Sequence, residues 1–362
     1  FLLALASSGQ KPGVWVRFVD TTTNLSGYKD LNGIIKIPAK FQHHYADSFY
    51  NIIAVDERVD NSYKHYYLLK GGRQVAQDSL YAVDFMADCE SEGKILYYDR
   101  VKDRVGFLDS TGVAIIPAVY NYASSFRNGF AVACRNASRH CWDGTGDTTN
   151  CEHWGWKGGE TILINEKNEV LADSLSVDTY DLNWYSLRIN DPTVDTSLFV
   201  SIPGRNGKVY SFIDYAREFR QWFTNVFVPS LQDHKFREHL FTEITYWSDE
   251  DGWTGLDKEA FTRMFPTVLT EERFRETALK KISMDSYPFN YLIYEKPLYK
   301  KYMGACGEPD DSRFPLFTVL LNYHKKQVTP FPPNYAGQEH LSDFDKAYEL
   351  DYQEHFEFLR TE

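Results

Sequence analysis

Gly106-Phe107-Leu108-Asp109-Ser110-Thr111-Gly112-Val113-Ala114-Ile115-Ile116-Pro117-Ala118-Val119-Tyr120 holds the plan of the fold, because the chain has used it once before. Gly27-Tyr28-Lys29-Asp30-Leu31-Asn32-Gly33-Ile34-Ile35-Lys36-Ile37-Pro38-Ala39-Lys40-Phe41 follows the same pattern. The likeness resumes at Tyr45–Asn51 against Tyr122–Asn128, with His43-His44 as a two-residue insertion in the earlier copy. Each copy has one physical reading. An aromatic strand enters a turn, Leu31-Asn32-Gly33 or Ser110-Thr111-Gly112, in which glycine can take positive φ. A β-branched strand follows, and Pro38 or Pro117 is expected to end its pairing, since proline donates no hydrogen bond. A return strand such as Phe130-Ala131-Val132-Ala133 completes the copy.

Weaker copies fill the intervals. Tyr66-Tyr67-Leu68-Leu69-Lys70-Gly71-Gly72 leads to the strand-like Lys94-Ile95-Leu96-Tyr97-Tyr98. Trp154-Gly155-Trp156 leads through Ile162-Leu163-Ile164-Asn165 to Trp184-Tyr185. With Gly27, Tyr66, Gly106 and Gly155 as anchors, the period is about 40 residues, lengthened in the last interval by a cysteine-bearing loop. A period of this size means stacked supersecondary units that bury their apolar faces only against neighbours.

The pattern Gly-aromatic-x-Asp-x-x-Gly-x-x-x-Ile-Pro-x-x-aromatic, with a later Phe-x-x-Gly-x-Ala-Val, resembles the bacterial WG (KWG) repeat. The copy from Gly106 matches nearly throughout, and Trp154-Gly155 supplies the dipeptide that names the repeat. The first copy departs at Ile52, where the later glycine is expected, and the second lacks the Ile-Pro step. The resemblance spans roughly residues 14 to 200. It implies a β-rich binding or scaffold module, often of the cell envelope, and brings no catalytic residues.

Composition sets the outer limits. Aromatic residues make up 16% of the 362-residue chain, which excludes a disordered linker protein. The net charge of −12 argues against nucleic acid and anionic membranes as partners, and no apolar run is long enough for a transmembrane segment. Eight acidic residues against two basic ones between Glu339 and Glu362 hold half of that charge. They form a solvated face, or a contact for a basic partner.

The opening Phe1-Leu2-Leu3-Ala4-Leu5-Ala6 ends in Ala-x-Ala and resembles the tail of a secretory signal peptide. Cysteine usage agrees. Of Cys89, Cys134, Cys141, Cys151 and Cys306, three crowd into one Gly/Asp/Thr-rich loop, where a Cys141–Cys151 bridge closes at low strain. The odd count leaves a free thiol, most simply Cys89 or Cys306. Their spacing does not supply a zinc set, even with His140 and His153 alongside. These features give an expected extracytoplasmic location.

From Arg205 the period changes. Phe212, Ile213, Ala216, Phe219, Phe223 and Val226 recur at helical spacing up to Pro229, and Phe236 with Leu240 marks a second short helix. Further helices are expected at Lys258–Phe265 and from Thr270 to Ile282. Strands are expected at Tyr291–Tyr294, Phe317–Leu321 and Tyr352–Phe358. The expected fold class is therefore α+β: a leader at residues 1–13, an all-β array of hairpin repeats at 14–204, and an α+β domain at 205–362.

Chemistry is sparse. Ser248–Glu259 has the composition of an EF-hand loop, but its register places Trp247 first and Lys258 twelfth, where carboxylates are required. His234 and His239 are read as surface residues. There is no Gly-x-Ser-x-Gly, His-Glu-x-x-His or phosphate-binding glycine loop, and no cofactor or metal is implied. Most aromatics are expected to pack between repeats. Trp142, Trp154, Trp156, Trp184 and Tyr185 are the candidates for a groove that stacks on sugars or grips a peptide. The leading reading is a non-enzymatic binding or scaffold protein with a protein or glycan ligand. The competing one is a hydrolase or exported effector with its pocket in the C-terminal domain.

Overall fold

The computed structural model describes residues 13–44, 46–60, 62–83, 86–142, 151, 153–232, 235–248, 252–270, 274, 297–324 and 351–361. The apolar leader, His234, the strand expected at Tyr291–Tyr294 and nearly all of the helix expected at Thr270–Ile282 lie outside them. The described residues are strand-rich, with 49% strand against 13% helix, and pair into antiparallel sheets, one of seven strands and the others of two to four. It divides into two compact bodies. The first runs to Tyr215 and takes in Pro297–Arg313; the second holds Ala216–Lys296 and Phe314–Glu362.

The first body is built by repeating one three-stranded step. The return strand of one copy pairs with the first strand of the next, which turns into a third strand. The four steps are Trp15–Asp20 with Leu25–Asp30 and Ile35–His44; Ile52–Val59 with Ser62–Leu69 and Gln74–Val75; Lys94–Asp99 with Arg104–Asp109 and Ala114–Tyr120; and Phe130–Arg135 with Glu160–Asn165 and Val170–Ala172. Their registers agree: Trp15 faces Asp30, Ile52 faces Leu69, Lys94 faces Asp109 and Phe130 faces Asn165.

One turn closes every step. The N–H of Gly33, Gly72, Gly112 and Asn168 reaches back three residues to the carbonyl of Asp30, Leu69, Asp109 and Asn165. All four residues sit at positive φ, between 63 and 84°, as a three-residue hairpin loop with a glycine bulge requires. In three copies a side chain braces the turn. Asp109 Oδ1 accepts from Thr111 N at 2.8 Å and Val113 N at 3.0 Å. Asp30 does the same for Asn32 and Ile34, and Asn165 for Lys167 and Glu169. The motif aspartate is thus a turn cap. The same turn closes a fifth hairpin, Phe199–Pro203 with Val209–Asp214, through Gly204 and Gly207.

Two expectations about the repeat are corrected. Pro38 and Pro117 do not end their strands but lie inside Ile35–His44 and Ala114–Tyr120. The ladder bulges there, stepping from Phe107 opposite Ile116 to Val105 opposite Tyr120, so proline needs no donor. The bulge closes over the motif glycine: a Cβ on Gly106 would come within 2.4 Å of the Ile116 carbonyl oxygen, and one on Gly27 within 2.6 Å of that of Ile37. Nor is Gly155 the fourth anchor. The strand that pairs with Phe130–Arg135 is Glu160–Asn165, which puts Ile162 in the anchor position. Trp154 and Gly155 instead belong to an inserted hairpin, Ser138–Cys141 with Trp154–Lys157.

Apolar faces pack between successive steps. Tyr28, Phe41, Phe49, Ile53, Val55 and Tyr66 form one buried cluster, and Phe107, Ile116, Tyr120, Phe126, Ala131 and Ile164 form its later counterpart. Equivalent ring pairs recur in the two, Tyr28–Phe49 at 5.4 Å and Phe107–Phe126 at 4.8 Å between centroids. Carboxylates tie neighbouring copies. Glu90 accepts the main-chain N–H of Asn51 and Ile52, and Glu92 accepts those of Asn128 and Gly129.

The Pro297–Arg313 segment is a strap on this body. The Ala305 carbonyl accepts the N–H of Asp47 and Ser48, Cys306 bonds to Cys89, and Tyr215 donates its hydroxyl to the Ser312 carbonyl. Neither Cys89 nor Cys306 is therefore the free thiol. Cys134 is, buried in a return strand. The sequence placed Cys89 and Cys306 217 residues apart, and only the strap's return brings their Cα atoms to 5.7 Å.

In the second body a helix over Tyr215–Trp222 continues as a π-helical turn, Phe223–Phe227, and ends at Ser230, one residue beyond Pro229. Phe212 and Ile213, expected to be helical, are the end of the Val209–Asp214 strand. Their apolar spacing satisfies both periods, and pairing with Phe199–Pro203 decides for the strand. A short helix occupies Lys235–His239 and another Lys258–Met264, capped by the Asp257 carboxylate on the Ala260 N–H at 2.8 Å. Hairpins pair Glu243–Ser248 with Gly252–Asp257 and Leu316–His324 with Asp351–Leu359. The core is aromatic: Phe219 stacks on Phe317 at 4.3 Å, and Phe227 meets Phe358 at 5.0 Å.

Candidate functional site

The inserted hairpin of the fourth copy gathers three of the five candidate aromatics. Its register sets Arg139 opposite Trp156 and Cys141 opposite Trp154. Side chains alternate along a strand and agree across a pair, so Arg139, Cys141, Trp154 and Trp156 share one face. Cys141 is buried and disulfide-bonded to Cys151, with Cα atoms 5.9 Å apart, which closes the tip of the hairpin. Trp142 lies on the other face. It meets His140 edge-on at 4.7 Å and crosses Gly155, where an added Cβ would come within 2.6 Å of its indole Nε1. The glycine of the Trp-Gly dipeptide is thus required by an indole on the facing strand.

Trp154 and Trp156 stand perpendicular, 5.6 Å apart, with the Arg139 guanidinium 4.1 Å from the first ring and 5.7 Å from the second. Cation–π attraction accounts for the placement. A carboxylate from another repeat fixes it. Asp103, in the turn between Lys94–Asp99 and Arg104–Asp109, takes Arg139 Nε at 2.8 Å and Nη2 at 2.7 Å in a fork. Tyr98 donates its hydroxyl to the same carboxylate at 2.5 Å. The Arg139 fork holds the Asp103 carboxyl below its ordinary range, and Asp103 in turn raises Arg139. Burial, then the Asp103 hydrogen bond, pushes the Tyr98 phenol up, so it stays protonated as a donor. Arg104 completes the rim, its guanidinium 5.9 Å from the Trp156 ring. Trp154 remains 41% exposed, so the fixed cation does not bury the indole.

The other two candidates lie elsewhere. Trp184 is 3% exposed and packs in the core against Phe130 and Phe212, leaving no ring face for a ligand. Tyr185 is partly exposed, and the Arg313 guanidinium of the strap sits 4.3 Å from its ring. Sequence reading missed Arg139, Asp103, Tyr98 and Arg104. Arg139 could have been found by alternation from Cys141, but Asp103 is 36 residues away and meets it only through the stacking of repeats.

Among the described residues, no group of three or more His, Cys, Asp or Glu is arranged to hold a metal ion. No helix there is long and apolar enough to cross a membrane. No curated protein matches the chain. Residues 106–137 match the model of the WG containing repeat family, while the C-terminal region matches none. The copy that begins at Gly106 is thus a repeat of the WG family, and the match is confined to it.

Proposed function

We propose that the repeat array is a non-enzymatic binding module and that the Trp154–Trp156–Arg139 face is its recognition surface, with a saccharide as ligand. One observation carries the reading: two indoles at right angles, one 41% exposed, are held by a guanidinium that is itself locked by Asp103 and Tyr98. Such rings offer flat apolar area at low entropic cost, and the locked polar groups give orientation. Sugar rings present C–H faces to stack and hydroxyls for the polar edge. The two disulfides suit an oxidising compartment, so we place the protein in the cell envelope or outside the cell.

A saccharide and peptide array probed with the intact chain tests this. Trp154→Ala and Trp156→Ala are expected to weaken saccharide capture by about tenfold or more, while Trp142→Ala, altering the opposite face, leaves it within about twofold. Equal capture by all four proteins would overturn the assignment of the face. Capture of peptides alone would overturn the saccharide.

A further inference from the structure

We infer that the ligand of this face is an acidic saccharide, a chain containing hexuronate units, with Arg104 as the residue that reads its carboxylate. The inference rests on the saccharide reading above and adds a charge to it. Arg139 cannot supply that charge, because both arms of its fork are spent on Asp103, and the pair is neutral as a whole. Arg104 is different. Its Nη1 donates to the Asp103 main-chain carbonyl at 2.7 Å, and among the described residues it makes no ion pair.

A guanidinium presents five donors in a plane, so one backbone contact leaves the rest for a ligand. Its carbon lies 5.9 Å from the Trp156 ring, on the rim of the aromatic pair. Among the described residues the face therefore sets two cations, Arg139 and Arg104, against the one carboxylate of Asp103, on a chain whose net charge is −12. A hexuronate unit matches both parts, with a C–H face for the indole and a planar carboxylate for the guanidinium. A neutral sugar would leave the cation unused, and a carboxylate without a ring would leave the indoles unused.

The test is calorimetric titration of the intact protein with an oligogalacturonate, its methyl ester, a neutral glucan oligomer and an acidic peptide. The free acid is expected to bind at least about tenfold more tightly than the ester. Arg104→Gln should bring the acid down to the level of the ester, and added salt should weaken the acid selectively. Trp156→Ala should weaken both, with near-ultraviolet circular dichroism confirming that each variant is folded. Equal affinity for acid and ester, or an undiminished acid affinity in Arg104→Gln, overturns the inference and leaves the saccharide reading standing. Binding of the peptide alone, or of none of the four, overturns both.

Discussion

At the scale of single residues, the repeat is written in its turn aspartate. Asp30 and Asp109 occupy a position that asparagine takes in the fourth copy, and all three accept the same pair of main-chain N–H groups. The acceptor oxygen matters there more than the charge. Asp109→Ala is expected to cost about 1 kcal/mol in urea unfolding, and Asp109→Asn much less, since Asn165 does the same work. The pH dependence has a definite sign. Partial burial opposes ionisation of Asp109, but the N–H of Val113 and the hydroxyl and N–H of Thr111 outweigh it and leave the carboxyl below its ordinary value. A depressed folded value stabilises the protein above the unfolded pKa, about 3.9, and that stability is lost as pH falls through the folded value. Acid unfolding of Asp109→Asn should therefore be less steep than that of the parent as pH falls below about 4. The aspartate was legible in the sequence as part of a motif. Its partners were not, because a turn's N–H groups carry no residue signature.

Among the elements, the inserted hairpin shows where local reading succeeds and fails. The Cys141–Cys151 bridge was legible because its ends lie only ten positions apart, across turn-forming sequence. Trp154-Gly155 was read as the start of a repeat strand, when Gly155 is in fact the flat spot on which Trp142 lies. Gly155→Ala should therefore displace the indole, seen as a changed tryptophan emission with far-ultraviolet circular dichroism preserved. An unchanged spectrum would remove that account of the glycine. The bulges at Pro38 and Pro117 teach a related lesson. Proline signals lost pairing, but whether a strand ends or folds over its partner depends on the glycine across from it. Phe212 and Ile213 failed for a third reason, since three or four apolar residues fit either period until a partner strand is known.

The whole molecule is two bodies drawn from an interleaved chain, because Pro297–Arg313 belongs to the first body while its flanks belong to the second. A repeat period could reveal the array, and a change of period its end, but no periodicity announces a strap. Bonding Cys306 to Cys89 closes a loop of 217 residues, for which the chain-entropy model gives about 5 kcal/mol as an upper figure. Cys306→Ser is expected to lower the denaturant midpoint of the first body and to expose Cys89 to alkylation in the folded protein. Cys151→Ser, which opens only a short loop, should cost roughly 2–3 kcal/mol at most. A Cys306→Ser midpoint no lower than that of Cys151→Ser would deny the strap its role.

The strap also sets an order of events during synthesis. Cys141 meets Cys151 within moments of leaving the ribosome, whereas Cys89 must wait for 217 further residues, roughly 10–40 s at ordinary elongation rates. During that wait Cys89, Cys134 and the early-bonding pair are all present, and Cys89 can couple to the wrong one. The copy that carries Cys89 is thus made early and finished late, and its correct closure reports that synthesis has passed Cys306.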